Sequence, residues 1–219
     1  LAGSWTPPRR QKISPRVVVL KEKKGVTHVE VTLSGGWCLN MDQQPQVIAV
    51  HRRNSGATAV PPDALSEHGA GGYTAVLPLL STHEPGRYRV FVQGTDCSGE
   101  VLSAPSEASR LGSFRALSPT EITLNASPNQ VRAGRTINLK GSLRHLVDGT
   151  MHGFGGAEVG VEFQPAGTTT FTPVGTATAN SGGVFHLKAT MHQAGTWRVR
   201  YLGDRRHTSA EAAEWVELR

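Results

Sequence analysis

The chain repeats one nine-residue signature, and this repeat restricts its fold more than any other feature. The pattern Gly-x-aromatic-Arg-Val-x-(Val/Tyr)-x-Gly occupies residues 86–94 and again residues 195–203, an offset of 109 residues. A Gly-Gly turn with an aromatic residue precedes each copy, at 71–73 and at 182–185. A repeat at this spacing predicts two tandem domains of one architecture, each of about 100 residues.

Hydrophobic alternation indicates strands rather than helices. Val29, Val31 and Leu33 alternate with polar residues in one segment, and Ile137 and Leu139 do so in another. Because side chains of a strand point to opposite faces in turn, this pattern is typical of half-buried strands. The 25 glycines and 13 prolines supply turns between them. We predict an all-β chain with two tandem immunoglobulin-like β-sandwich domains and an extended N-terminal tail.

Composition shifts divide the chain into four segments. Prolines restrict the N-terminal end to extended conformations, and the residues between the two repeats are rich in proline, glycine and serine. We predict an extended basic tail at 1–15, a first domain at 16–104, a linker at 105–119 and a second domain at 120–219.

The positive charge of the chain is confined to its N-terminal end. The formal net charge is +6, and residues 1–24 hold seven basic residues and one acidic residue, which accounts for all of it. A nucleic-acid-binding domain usually carries a basic face. After residue 24 the basic and acidic residues of this chain are equal in number, so we expect no nucleic acid partner. No apolar run is long enough for a membrane span. The first residues lack the pattern of a signal peptide, and we expect any such peptide to have been removed.

Two cysteines, Cys38 and Cys97, are the only ones in the chain. Both flank predicted strand ends, and we expect a disulfide between them, which implies an oxidising compartment. The alternative is a pair of buried free thiols, because spacing does not prove pairing. The bridge would tie the end of the strand at 26–33 to the end of the strand at 87–93. It would stabilise the first domain by roughly 4 kcal/mol in the chain-entropy model.

Sequence patterns for catalysis or metal binding are absent. The nine histidines are scattered, without a His-Glu-x-x-His pair, and the cysteines lack zinc spacing. There is no Gly-x-Ser-x-Gly elbow for a nucleophilic serine, and the five aspartates are too far apart for a calcium loop. We predict no catalytic residue, no metal site, no cofactor and no enzymatic activity.

The second half of the chain resembles a family of secreted modules. Residues 134–143 (GRTINLKGSL), together with 163–175, 182–185 and 195–204, resemble the Ig-like repeats of secreted actinobacterial proteins. The resemblance extends over 120–219, and over 16–104 it rests on the repeated signature. It implies a β-sandwich exported from the cell, and hence an extracellular location. It implies little about function, because such modules serve many purposes.

The tail is the strongest candidate for a partner-binding site. It combines an aromatic anchor, prolines and cations in the residues Trp5, Pro7, Pro8, Arg9, Arg10 and Lys12. Prolines lower the entropy lost on docking, and arginine makes bidentate contacts with carboxylates. The alternative is a solvated chain end. In tail, size and fold class the chain resembles the small adaptor subunits of umbrella-type actinobacterial toxin particles. That resemblance implies protein partners in an extracellular complex.

We therefore predict a secreted, non-enzymatic adaptor that links other subunits of an extracellular assembly. One alternative is a cell-envelope or carbohydrate-binding module, which would need exposed aromatic rings. Trp37 is the candidate for such a ring, whereas we expect Tyr88 and Trp197 to pack in the core. A second alternative is an inhibitor that presents Arg9 or Arg10 to a trypsin-like protease.

Overall fold

The computed structural model describes residues 11–33, 46–51, 59–60, 62–68, 72–95, 101–102, 104, 106 and 109–219. All regular secondary structure in these ranges is β-strand, which confirms the predicted all-β class. Contacts divide the chain into two compact units, Leu1–Leu117 and Ser118–Arg219, which we call unit 1 and unit 2. The described ranges hold no helix that could cross a membrane.

Within its described residues, unit 1 contains ten strands in two sheets. They are β1 (Gln11–Ser14), β2 (Val17–Val19), β3 (Val26–Leu33), β4 (Gln46–His51), β5 (Ala59–Val60), β6 (Ala64–His68), β7 (Gly72–Leu80), β8 (Gly86–Thr95), β9 (Val101–Leu102) and β10 (Arg110–Leu117). One sheet has the order β1-β3-β7-β6, and the other has the order β2-β10-β8-β4-β5, with β9 paired to β8. This strand order is that of an immunoglobulin-like sandwich, with β2 and β5 added at the edges of its second sheet.

The core of unit 1 follows from the alternation seen in the sequence. Val29, Val31 and Leu33 on β3 are fully buried, as are Leu77 and Leu79 on the neighbouring strand β7. Each such side chain contributes about 1.5–3 kcal/mol when it leaves water. The intervening residues of β3 are exposed or half-buried, so the predicted inner face of this strand is confirmed.

Tyr88, the aromatic residue of the first repeat copy, anchors this core. Its ring is 1% exposed and stacks on Phe114, with 5.1 Å between the ring centroids. Its hydroxyl group donates a hydrogen bond of 2.8 Å to the backbone oxygen of Glu84. A tyrosine that bonds the backbone just upstream of its own strand is a recurrent feature of immunoglobulin-like folds.

Unit 2 contains ten further strands. They are β11 (Thr120–Ile122), β12 (Asn125–Ser127), β13 (Gln130–Val131), β14 (Thr136–Val147), β15 (Thr150–Gly153), β16 (Glu158–Pro165), β17 (Thr172–Thr178), β18 (Val184–Thr190), β19 (Gly195–Tyr201) and β20 (Ala210–Leu218). The long strand β14 pairs with β11, β12, β15 and β18, and the other sheet has the order β13-β20-β19-β16-β17. Buried residues of both sheets, including Ile137, Leu139, Val159 and Val161, form one core.

The repeated signature lies on the central strand of the equivalent sheet in each unit. β8 lies between β10 and β4, and β19 lies between β20 and β16. Trp197 of the second copy is 4% exposed, and its indole N–H donates a 3.2 Å hydrogen bond to the sulfur of Met191. The burial of Tyr88 and Trp197 confirms that both signature aromatics belong to the cores.

Two segment boundaries predicted from the sequence need correction. The sequence places Arg110–Leu117 in the linker, but these residues form β10 between β2 and β8, because Leu111, Phe114 and Ala116 are buried against the sandwich. The sequence also predicts a tail that extends to residue 15, but Gln11–Ser14 forms β1 and pairs antiparallel with β3. Burial of Ile13 accompanies this pairing.

Candidate functional site

Most of the site residues predicted from the sequence lie outside the described residues. These are Trp5, Pro7, Pro8, Arg9, Arg10, Trp37, Cys38 and Cys97. Lys12 is described: it lies on the edge strand β1, opposite Thr32, with its side chain exposed. The disulfide and the docking role of the tail therefore stay predictions.

A row of arginines lies on the outer face of the sheet β2-β10-β8-β4-β5. In the antiparallel pairing of β10 with β8, Arg115 is opposite Arg87 and Ser113 is opposite Arg89. Side chains of directly opposed residues project from the same face of a sheet. Because Phe114, Ala116 and Tyr88 point into the core, these arginines point outwards. We call Arg87, Arg89 and Arg115 the arginine face.

The arginine face has few internal partners for its charges. Arg87 donates hydrogen bonds to the Ser113 hydroxyl from Nε, at 3.2 Å, and from Nη2, at 3.0 Å. The Nε atom of Arg89 is buried, and no described atom accepts a hydrogen bond from it. Within the part of the chain that the structure describes, no carboxylate forms an ion pair with any of these three arginines.

Two valines extend this face at the edge of the sheet. Val17 and Val19 on β2 are 52% and 42% exposed. In the parallel pairing of β2 with β10 they lie opposite Arg115 and Leu117. The face therefore joins exposed apolar groups to guanidinium groups, and arginine at a centre with apolar neighbours is typical of protein interfaces.

The outer face of the sheet β13-β20-β19-β16-β17 in unit 2 is different, because its arginines are paired with carboxylates. Glu162 on β16 accepts a 2.7 Å hydrogen bond from Nε of Arg198 on β19. Arg200 lies 3.7 Å from Glu162 and 3.4 Å from Glu211 on β20. The Phe171 ring covers the Arg198 guanidinium at 3.8 Å. We call Glu162, Arg198, Arg200 and Glu211 the ion-pair ladder.

An exposed tryptophan lies on the same face as the ion-pair ladder. Trp215 on β20 is 50% exposed and lies opposite Thr196 on β19. Sequence reasoning placed a strand at this residue but did not single out its side chain. The signal was the alternation of Glu211, Ala213 and Trp215, which puts the indole on the outer face if Val216 is buried.

A hydrogen-bonded chain of Asp204, His207 and His145 lies elsewhere in unit 2. His207 Nδ1 is 2.9 Å from Asp204 Oδ1, and His207 Nε2 is 3.2 Å from His145 Nδ1. Phe154 stacks on the His145 ring at 4.3 Å. Burial, and then the neighbouring His207, lower the pKa of His145. Although burial opposes it, hydrogen bonds from backbone and His207 N–H groups lower the pKa of Asp204.

The series Asp204, His207 and His145 resembles the acid–histidine pair of a hydrolase, but no nucleophile of the described residues follows it. No hydroxyl or thiol group of the described residues hydrogen-bonds His145, so the arrangement lacks the reacting group of a serine or cysteine hydrolase. Over the described ranges, the side chains also form no cluster of three or more metal-ligating groups. The geometry fits a packing role for these side chains.

Comparisons with known proteins assign no family. No family model matches the chain, and no curated protein matches it significantly. Similar solved structures include the Escherichia coli adhesin FdeC, at 15% identity and a TM-score of 0.41, covering 96% of this chain and 63% of that one. The Yersinia pseudotuberculosis adhesin InvE aligns at 13% identity and a TM-score of 0.35, covering 94% of this chain and 58% of that one.

A superoxide reductase from Ignicoccus hospitalis aligns over a shorter stretch. It has 13% identity and a TM-score of 0.35, and the alignment covers 45% of this chain and 80% of that one. The chain thus spans less than two thirds of the two adhesin structures that it resembles. At these identities and TM-scores the similarities do not place the chain in a family.

Proposed function

We propose that this protein is an extracellular, non-enzymatic adaptor that docks on an acidic surface of a partner protein through the arginine face of unit 1. The observation that carries this proposal is the pairing of Arg115 directly opposite Arg87, without a carboxylate partner among the described residues. Like charges directly opposite each other on one face of a sheet are destabilising. A partner that supplies carboxylates turns this repulsion into attraction.

The buried Nε of Arg89 supports the same conclusion. A buried donor without an acceptor costs about 1–3 kcal/mol. A turn of the Arg89 side chain towards a partner's carboxylate would give this donor an acceptor, and carboxylate–guanidinium contacts are often bidentate. Val17 and Val19 add exposed apolar area beside the arginines. The combination favours an acidic protein surface over a free anion, because a free anion would make no apolar contact with the valines.

The N-terminal residues belong to the same proposal. Trp5, Arg9 and Arg10 precede β1, whose residue Lys12 is exposed at the edge of unit 1. Docking of this segment would add an aromatic anchor and further cations to the interface. With two compact units, one chain can engage two neighbours. More specifically, we propose that the protein is a linking subunit of a secreted assembly such as a toxin particle.

The experiment compares two triple variants with the same change in charge. The first replaces Arg87, Arg89 and Arg115 by glutamine, and the control replaces exposed cations of unit 2, Arg132, Arg135 and Lys188, by glutamine. Tagged full-length chains are used to isolate the stoichiometric partner from the native secretome. The affinity of each variant for the purified partner is then measured by calorimetry at low and high salt.

We expect the arginine-face variant to lose binding and the unit 2 control to bind like the unchanged chain. Binding of the unchanged chain should weaken with salt, because the contact is ionic. Deletion of residues 1–10 should weaken binding as well. Equal affinity of the two triple variants refutes docking through the arginine face. Unchanged binding after the deletion refutes the role of the tail and leaves the first test intact.

A further inference from the structure

The outer face of the sheet β13-β20-β19-β16-β17 presents a single half-exposed indole in a polar setting. Trp215 is flanked on its face by Thr196, Glu217 and Ala213. Ala213, two residues away on β20, is small and exposed and leaves the surface open beside the indole. Along the same strand, Glu211 follows at about 14 Å from Trp215, by the rise of a strand. Trp215, Ala213 and Glu211 thus line one face of β20, which we call the track.

The ion-pair ladder beside this track is electrically neutral and held in place. Its two glutamates and two arginines balance, so the ladder itself carries no net charge, while Glu217 beside Trp215 accepts a hydrogen bond from the neutral Gln130. The Glu162 and Arg198 side chains are 18% and 22% exposed, and their direct hydrogen bond fixes the inner part of the ladder. The Phe171 ring restrains Arg198 from one side. Little side-chain entropy is therefore left to lose on binding.

The outer part of the ladder keeps hydrogen-bonding capacity for a ligand. Arg200 and Glu211 are separated by 3.4 Å, and Arg198 and Glu211 by 3.9 Å, which are longer than ordinary N–H···O hydrogen bonds. Arg200 and Glu211 are also the most exposed members, at 40% and 59%. Guanidinium N–H groups there can donate, and carboxylate oxygens can accept. Both kinds of group stand on the same face as the indole, about 14 Å further along β20.

From these observations we propose that this face of unit 2 binds a neutral polysaccharide, with Trp215 as its stacking platform. A pyranose ring has an apolar C–H face and a rim of hydroxyl groups that both donate and accept. The indole matches the apolar face of one ring, and Arg200 with Glu211 matches the hydroxyl groups of a ring further along the sugar chain. A hydrophobic protein interface would need a larger apolar patch than one indole. An acidic or basic partner would find no net charge on the ladder.

The length of the track fits a chain of sugars rather than a single ring. One ring stacks on Trp215, the next passes over Ala213, and hydroxyl groups further along reach Arg200 and Glu211. This site is separate from the arginine face, since its residues all belong to Ser118–Arg219. The protein would then hold a protein partner through unit 1 and a glycan through unit 2.

The test measures depletion of the full-length chain from solution by microcrystalline cellulose, insoluble chitin and an insoluble β-1,3-glucan. The variants are Trp215→Ala, Trp215→Phe and, as a control for an exposed apolar side chain on the other sheet of unit 2, Val147→Ala, whose side chain is 39% exposed. We expect Trp215→Ala to weaken binding about tenfold, Trp215→Phe to weaken it less, and Val147→Ala to leave it unchanged. High salt should leave binding intact because the stacking contact is not ionic.

Two results overturn the proposal. The first is that the unchanged chain is retained on none of the three polysaccharides. The second is that Trp215→Ala binds as tightly as the unchanged chain. Hydrogen exchange of the variants checks that the fold is intact, which is expected because Trp215 lies on the surface. Loss of binding in high salt would also count against the proposal, since it would indicate an ionic contact.

Discussion

Two glycines of unit 2 have nearly the same φ angle but different surroundings. Replacing each by alanine therefore separates the effect of backbone strain on stability from the effect of steric crowding around the new Cβ atom. Gly183 has φ of 79° and Gly167 has φ of 78°. A Cβ atom on Gly183 would lie 2.3 Å from the backbone oxygen of Leu143 and 2.7 Å from the backbone nitrogen of Phe154. A Cβ atom on Gly167 would meet nothing within 4 Å. The matched changes are Gly183→Ala and Gly167→Ala.

The expected magnitudes follow from these surroundings. Alanine in the left-handed region costs about 1–2 kcal/mol, partly offset by the lower entropy of the unfolded chain. Gly167→Ala should therefore lower the free energy of unfolding by about 1 kcal/mol. In Gly183→Ala the crowded atoms belong to the backbone, and Leu143 N–H donates to Gly183 O while Phe154 N–H donates to Leu143 O. Disruption of these two bonds adds about 2 kcal/mol, for a total of about 3 kcal/mol.

Hydrogen exchange of the full-length chain, read from peptides of Ser118–Arg219, is the appropriate assay. For the most protected amides, a loss of 1 kcal/mol speeds exchange about fivefold, and a loss of 3 kcal/mol speeds it about a hundredfold. Amides of unit 1 provide the internal reference. If exchange of the unit 2 amides speeds up equally in the two variants, crowding of the Gly183 turn against Leu143 does not contribute to stability, and the reasoning is wrong.

Two further predictions concern single side chains. Tyr88→Phe keeps the stacked ring but removes the hydrogen bond to Glu84, so exchange of unit 1 amides should speed up about fivefold, for a loss of about 1 kcal/mol; no change would mean that the bond contributes nothing. The lowered pKa of His145 means that, as pH falls below about 6.5, the unfolded chain binds a proton that the folded chain does not. The urea midpoint of unit 2 should therefore fall as pH drops from neutral towards the folded-state pKa, and His145→Gln should reduce this dependence. A pH-independent midpoint of the unchanged chain would contradict the burial argument.

The sequence alone determined the class of the fold, because strand alternation is a local property. The inner face of β3 with Val29 and Val31, and that of β14 with Ile137 and Leu139, followed from period-two hydrophobicity and was observed. The buried aromatics Tyr88 and Trp197 followed from the repeated signature, since both lie between glycines on apolar strands.

The same reasoning failed at β10 for a physical reason. The pairing of β10 with β8 shifts register between Arg110 and Gly112. This irregularity, together with the intervening Gly112 and Ser113, places the buried residues Leu111 and Phe114 three positions apart. A strand interrupted in this way loses its period-two pattern, and its glycine and serine content resembles that of a linker. Only packing against the sandwich identifies it as a strand.

The candidate surfaces depended on tertiary structure for a related reason. Arg87 and Arg115 are separated by most of a hairpin and a loop in the sequence, and only the strand register makes them direct neighbours. Trp215 and Arg200 share one face only because β20 pairs with β19. The sequence located the positive charge and the aromatic residues, since these are properties of single positions. Which of them share a surface is decided by pairing between distant strands, because register sets the face on which every side chain stands.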